Sequence, residues 1–204
     1  NMKDGCYFDY CATTPVDDFV QQEMVPFFQD FYGNPSNLHT YGNKARQALA
    51  LARSRVAEGL HCSPENLVFT SGATEANNLA LLGVMNALPP QKNHLITTAI
   101  EHHSVLHAAE ALEKRGYPVS YLGVDAQGLV SPDALASAIR PSTGLISVMM
   151  VNNEVGTIQD IETLAKLARQ AEVLFHTDAV QAAPFLEVDL ERLPVDLLSL
   201  SAHK

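Results

Sequence analysis

Short apolar runs recur along this chain at intervals filled by helix-length amphipathic windows, and that alternation narrows the fold more than any other feature. Leu95–Ile100, Val119–Leu122, Leu145–Val151, Val173–Thr177 and Leu197–Ser201 read as strands. Between them lie helical windows at Val105–Lys114, from Ser131-Pro132-Asp133 to Ile139, and at Ile161–Glu172. Ser131 followed by Pro132 is a cap and first-turn pair that starts a helix. Leu145–Val151 has no polar alternation, the pattern of a strand covered on both faces. Strands alternating with helices of this length predict an α/β sheet with helices on both sides.

Upstream, Pro15–Phe31 reads as helical with a break at Pro26. Gly33-Asn34-Pro35-Ser36-Asn37 is loop chemistry, and Ala45–Leu60 is a second helix. Leu67–Thr70 reads as a short strand that meets Gly72. A helix then runs to about Leu88, where Pro89-Pro90 closes it. The segment 1–14 is set apart as an N-terminal stretch, and 15–204 reads as one incomplete domain, because its last strand has no helix behind it.

Bulk properties exclude several classes. A hydrophobic content of 47% over 204 residues supports a sizeable core. A formal net charge of −10 argues against a general nucleic-acid binder or a membrane-surface protein. Lys44, Arg46, Arg53 and Arg55 read as one solvated or interfacial helix face. The three cysteines, Cys6, Cys11 and Cys62, form no CxxC pair and no metal-ligand spacing, so they are expected as free thiols in a reducing compartment. Cys11 and Cys62 read as small buried hydrophobes. No apolar run is long enough to span a bilayer and no basic-then-apolar leader opens the sequence, so the expected location is the cytoplasm.

Polar clusters fall at the ends of nearly every expected strand, where α/β proteins bind ligands. Thr70-Ser71-Gly72-Ala73-Thr74-Glu75 leads into a helix through a glycine. It is either an ordinary capped turn or an anion cradle of free N–H groups suited to phosphate. His102 and His103 follow the strand that ends at Ile100. Either could stack on a ring, move a proton or be a plain core or surface histidine. Alternating side-chain directions argue against both ligating one metal ion. Asn153 is an amide donor for an oxyanion or part of an Asn-rich turn. Asp178 is a helix cap or the partner of a protonated pyridine nitrogen, because a carboxylate at a buried strand end needs donors or a cation. Lys204, like most lysines, could be a solvated charge. Twenty-six residues separate it from Asp178, enough for one crossover and a further strand.

Taken in order, these segments resemble the NifS/IscS-type cysteine desulfurases of the class V aminotransferase family. The resemblance rests on Tyr7–Pro15, Gly33–Ser36, Thr70–Glu75, Glu101-His102, Asn152–Gly156, His176–Gln181 and Ser199–Lys204, and it covers essentially the whole chain. It implies the large domain of a pyridoxal-phosphate (PLP) fold type I transferase, a three-layer αβα arrangement around a mainly parallel, mixed sheet. It further implies that Lys204 carries the cofactor as a Schiff base and shuttles a proton, and that Asp178 binds the pyridine nitrogen. His102 would stack on the ring and assist proton transfer, while Asn153 and Gln181 would bond its phenolic oxygen. Ala73 (through its backbone), Thr74, Ser201 and His203 would hold the phosphate. The family reaction takes sulfur from L-cysteine, leaving L-alanine and an enzyme persulfide for iron-sulfur assembly or other sulfur transfer. A homodimer and a sulfur-acceptor scaffold protein are the implied partners, with no nucleic acid except indirectly and no membrane. None of Cys6, Cys11 or Cys62 matches the family's nucleophile, so the chain alone is expected to be inactive. A selenocysteine lyase of the same family and a non-catalytic dimerising fragment are the competing readings.

Overall fold

A computed structural model describes residues 5–204; residues 1–4, the start of the 1–14 segment, lie outside the described residues. Five strands form one sheet: β1 (His94–Thr98), β2 (Val119–Leu122), β3 (Thr143–Ser147), β4 (Leu174–Asp178) and β5 (Leu197–Ser199), in the spatial order β2-β1-β3-β4-β5. All four pairings between these strands are parallel. Antiparallel pairing among the described residues is limited to the bridge Val151–Ile158. The expected α/β class, with a parallel sheet between helical layers, is what the chain adopts.

Alternate residues of each strand feed two separate cores. Leu95, Leu145, Leu174 and Leu197 pack with Leu81, Met85, Val105 and Leu112, from α4 (Ala73–Ala87) and α5 (His103–Lys114). Their neighbours Ile96, Ile146, Phe175 and Leu198 pack with Leu135, Ile161, Leu164 and Ala168, from α6 (Pro132–Ala138) and α7 (Ile161–Gln170). The period-two direction of strand side chains therefore builds a core on each face. The chain runs from β1 outward to β2 through α5, then returns through α6 to β3 and continues through α7 to β4. Reversing direction while keeping right-handed crossovers moves the helices to the opposite face. The reversal point lies between β1 and β3.

Several expected elements differ in detail. The Pro15–Phe31 helix is two pieces, α1 (Asp18–Met24) and α2 (Pro26–Gln29), divided where Pro26 lacks an N–H. Asp17 caps α1 by accepting from the N–H groups of Phe19 and Val20. The next helix, α3, spans Thr40–Gly59, and His39 caps it through Nδ1. Leu67–Thr70 is extended but joins no sheet. Arg53 instead donates to the Leu67 carbonyl and lies 4.8 Å over the Phe69 ring. The basic cluster on α3 is not one face. At roughly 100° per residue, Arg46 and Arg53 lie opposite Lys44 and Arg55, and Arg46 donates to the Pro35 carbonyl. Cys11 is exposed and Cys62 half-buried, so Cys11 is not a core residue, whereas Cys62 packs on the edge of one core.

Two buried histidines cross-link the sheet. His94 bridges Thr143 at 2.8 Å and Ser120 at 2.9 Å, joining β3 and β2 through β1. His176 bridges Ser147 and Ser199, both at 2.9 Å, joining β3 and β5 through β4. Burial pushes His176 down to about 3 and His94 down to about 4, the latter helped by the Arg140 charge. Both rings are thus neutral spacers that exchange hydrogen bonds with hydroxyls. The N-terminal elements contribute far less to the core. α1 and α2 bury no residue and α3 buries Gly42 and Ala57, while Phe8, Phe28 and Leu38 stand 87%, 73% and 86% exposed.

Candidate functional site

The carboxyl ends of β1, β3, β4 and β5 open on the same edge of the sheet, beside the point where strand order reverses, and this is where open α/β sheets form a crevice. Asp178 is the last residue of β4 and is 5% exposed. Its Oδ1 accepts the Val180 N–H at 3.0 Å and its Oδ2 accepts the Asn77 amide at 2.7 Å. No lysine, arginine or histidine stands within ion-pair reach of it among the described residues. A buried carboxylate held by neutral donors alone keeps the capacity to receive a cationic N–H.

Asn77 comes from α4, whose first turn carries Ala73 and Thr74. Every other described helix longer than one turn opens with a capping side chain, but Gly72 gives α4 none. The first backbone N–H groups of an α-helix have no intrahelical acceptor. Here they stand beside the sheet edge, free for an anion. Glu75 turns back to accept the Ser71 N–H at 2.6 Å, which holds its carboxyl below the usual range.

His102 opens α5. Its ring is exposed, and its Nδ1 accepts the Ser104 N–H at 3.1 Å and lies 2.8 Å from the Ser104 hydroxyl. Ser104 in turn receives the Asn77 amide at 2.8 Å. A single amide therefore connects Asp178 on β4 to His102 after β1. The neighbouring Glu101 is 5% exposed, and its Oε1 accepts from the Thr98 hydroxyl at 2.8 Å and the Met149 N–H at 2.9 Å, tying the ends of β1 and β3 together. Oε2 has no partner. Burial, reinforced by the Asp178 charge, raises the Glu101 carboxyl to about 8, so it is neutral at pH 7.

The remaining sequence-derived residues are distributed as follows. Asn153 is half-buried and donates to Glu154 at 2.7 Å, while the neighbouring Asn152 is the buried one and donates to the Ile100 carbonyl at 2.9 Å. Gln181 lies half-buried in the turns after β4. Ser201, His203 and Lys204 follow β5 beside the strand of Asp178. The His203 carbonyl accepts the Thr14 N–H at 3.2 Å, and Lys204 Nζ donates to the Cys11 carbonyl at 2.6 Å. The segment after β5 is thereby joined to residues 11–14. Asp178, His102, Ala73 and Thr74, expected from the sequence, lie along one edge, whereas Asn77, Ser104 and the bridging role of Glu101 were not among the expected site residues. A polar residue inside an otherwise apolar helix face was the available signal for Asn77.

Among the described residues, no helix is long and apolar enough to cross a membrane, and no group of three or more His, Cys, Asp or Glu side chains is placed to hold a metal ion. The sequence profile described as aminotransferase class-V matches residues 6–204. A cysteine desulfurase IscS of Dictyoglomus turgidum is 46% identical over 203 residues, covering 100% of this chain and 52% of that protein. Its counterpart from Methylococcus capsulatus is 49% identical over 204 residues, covering 100% of this chain and 51% of that protein. Among solved structures, SspA in complex with cysteine superposes with a TM-score of 0.94 at 43% identity, covering 98% of this chain and 57% of that one. A NifS-like protein gives a TM-score of 0.94 at 42% identity, covering 97% and 55%. The chain spans about half the length of the curated relatives it matches.

Proposed function

The chain belongs to the aminotransferase class-V family, and from that premise we propose that it forms the cofactor-holding part of a PLP-dependent cysteine desulfurase. The observation that carries the reading is Asp178, a buried carboxylate with neutral donors alone, at the strand end beside the one from which Ser201–Lys204 runs. A protonated pyridine nitrogen suits that carboxylate. The uncapped start of α4 suits a phosphate dianion.

When bound, the cofactor supplies an electron sink for charge left at the substrate Cα. Asp178 holds the ring nitrogen protonated, and the α4 N–H groups at Ala73 and Thr74, with Ser201 and His203, hold the phosphate. Lys204 attaches the cofactor and carries a proton to and from the Cα position. His102 packs against the ring, and Asn153 and Gln181 donate to its phenolic oxygen. Neutral Glu101 adds no second negative charge beside Asp178. In this reading residues 15–204 belong to the cofactor-holding large domain of the enzyme, acting in the cytoplasm. The exposed apolar residues of the N-terminal elements are covered by a second copy, giving a homodimer that passes sulfur to an acceptor scaffold.

L-cysteine is the proposed substrate because the relatives carry the desulfurase name and the SspA structure holds cysteine. The test is alanine release from L-cysteine and from L-selenocysteine by a protein that extends this sequence to the relatives' length. Faster release from cysteine is expected. Alanine from selenocysteine alone overturns the substrate, and alanine from neither overturns the reaction.

A further inference from the structure

The hydrogen bonds around His102 run in one direction, and that direction fixes which ring nitrogen carries the proton. The Ser104 backbone N–H can act only as a donor, and it lies 3.1 Å from His102 Nδ1. Nδ1 must therefore present a lone pair. The Ser104 hydroxyl, 2.8 Å from the same nitrogen, must then also donate to it. An oxygen that donates there is free to accept, and it receives one hydrogen of the Asn77 amide at 2.8 Å. The other amide hydrogen goes to Asp178 Oδ2 at 2.7 Å. Reversing the amide would turn Asn77 Oδ1 toward a carboxylate oxygen, and Oδ1 has no partner as it stands. Asn77 and Ser104 are 0% and 6% exposed, so water does not scramble the order.

We propose that this chain of donors, Asn77 to Ser104 to His102, holds His102 as its Nε2–H tautomer, making the ring a hydrogen-bond donor toward the crevice and not its general base. Nε2 has no partner among the described residues, and the ring is exposed. For Nε2 to accept a proton, the neutral ring must first move its own proton to Nδ1, against the fixed Ser104 N–H donor. The Ser104 hydroxyl must also turn to accept, which leaves its hydrogen without the acceptor it has now. His102 is then a hydrogen-bond donor, and Asn77 and Ser104 are positioning residues acting through it. Under the reading of the preceding section, on which this consequence alone rests, proton abstraction falls to the amine of Lys204. The tautomer itself does not depend on any cofactor.

The test uses diethyl pyrocarbonate on the chain without cofactor at pH 8, with acylation of each histidine followed by peptide mass spectrometry. Acylation needs an unprotonated nitrogen that the reagent can reach, and at His102 that requires the disfavoured tautomer. His103 and His107 are also exposed on α5 and serve as internal references. His102 is expected to react roughly tenfold or more slowly than both, the factor that two net hydrogen bonds supply. Ser104→Ala should speed His102 by roughly fivefold and leave the references unchanged, whereas Ser104→Thr, which keeps the hydroxyl, should preserve the protection. Two-bond 1H–15N correlation on the unmutated chain at pH 9 should show Nδ1 as the unprotonated nitrogen, which keeps the proposal testable if Ser104→Ala fails to fold. A protonated Nδ1, His102 reacting as fast as His103, or no response to Ser104→Ala in a folded chain would overturn it. Failure to bind PLP would overturn the functional reading and leave the tautomer standing.

Discussion

Three buried groups in this fold titrate away from their ordinary ranges, and together they predict a stability profile with a maximum near pH 6.5. His176 and His94 ionise in the native chain only near 3 and 4, against 6.5 for a free imidazole. Below pH 6.5 the unfolded chain therefore takes up two protons that the native chain refuses. Glu101 works in the opposite sense, because its native carboxyl titrates near 8, against 4.5 when free. From pH 4.5 to 8 the native chain keeps a proton that the unfolded chain has released. The net uptake on unfolding is one proton between pH 4.5 and 6.5, so stability rises with pH there by about 1.4 kcal/mol per unit. Between pH 6.5 and 8 the histidine contribution is complete and Glu101 acts alone, so stability falls at the same slope. The maximum should exceed the value at pH 8 by about 2 kcal/mol and the value at pH 4.5 by about 3 kcal/mol. Glu101→Gln keeps the acceptor for Thr98 and Met149 but cannot titrate. Its profile should be flat from pH 6.5 to 8 and about twice as steep below 6.5. The chain has no tryptophan, so urea unfolding is best followed by circular dichroism at 222 nm and constant ionic strength. A native chain that grows more stable from pH 6.5 to 8, or a Glu101→Gln profile that overlays it, would show that Glu101 does not hold a proton in the folded chain.

Asn77→Ala removes the shared donor of Asp178 and Ser104 and should cost about 2–4 kcal/mol in urea unfolding, since two buried acceptors lose their partner; a loss under 1 kcal/mol would mean that water replaces the amide. Gly144→Ala should destabilise the amino end of β3 by about 1–3 kcal/mol, because a Cβ there would stand 2.4 Å from the Lys92 carbonyl oxygen, and an unchanged melting temperature would contradict that crowding. Sedimentation velocity should show a dimer that Phe8→Ser with Phe28→Ser converts to monomer, whereas a monomeric parent chain would remove the proposed self-association.

The sheet was legible because short runs rich in apolar and β-branched residues alternate with helix-length windows, one of them opened by Ser131-Pro132. Asp178 was legible for the same reason, as a carboxylate ending such a run. Leu67–Thr70 misled because strand-forming residues specify a strand only when a neighbour offers a ladder, and here Arg53 takes the Leu67 carbonyl instead. Cys11 misled because its size suits a core, yet its segment lies on the outside. The connection from Asp178 to His102 was not legible. Its bonds join residues 101 and 27 apart in sequence, and no local periodicity encodes contacts at that range. That Asn152 is buried and Asn153 half-buried was not legible either, because no sequence pattern in a turn separates two adjacent asparagines.

Lys204 is proposed to hold the cofactor at the carboxyl edge of this sheet, and covalent mapping reads out that attachment. The folded chain is incubated with PLP, reduced with borohydride and digested, and the labelled peptide is sequenced by mass spectrometry. A single adduct on Lys204 is expected, lost in Lys204→Ala while the circular dichroism spectrum is retained. Label on Lys44, Lys92, Lys114 or Lys166 in place of Lys204, or no label on a chain shown to be folded, would contradict it.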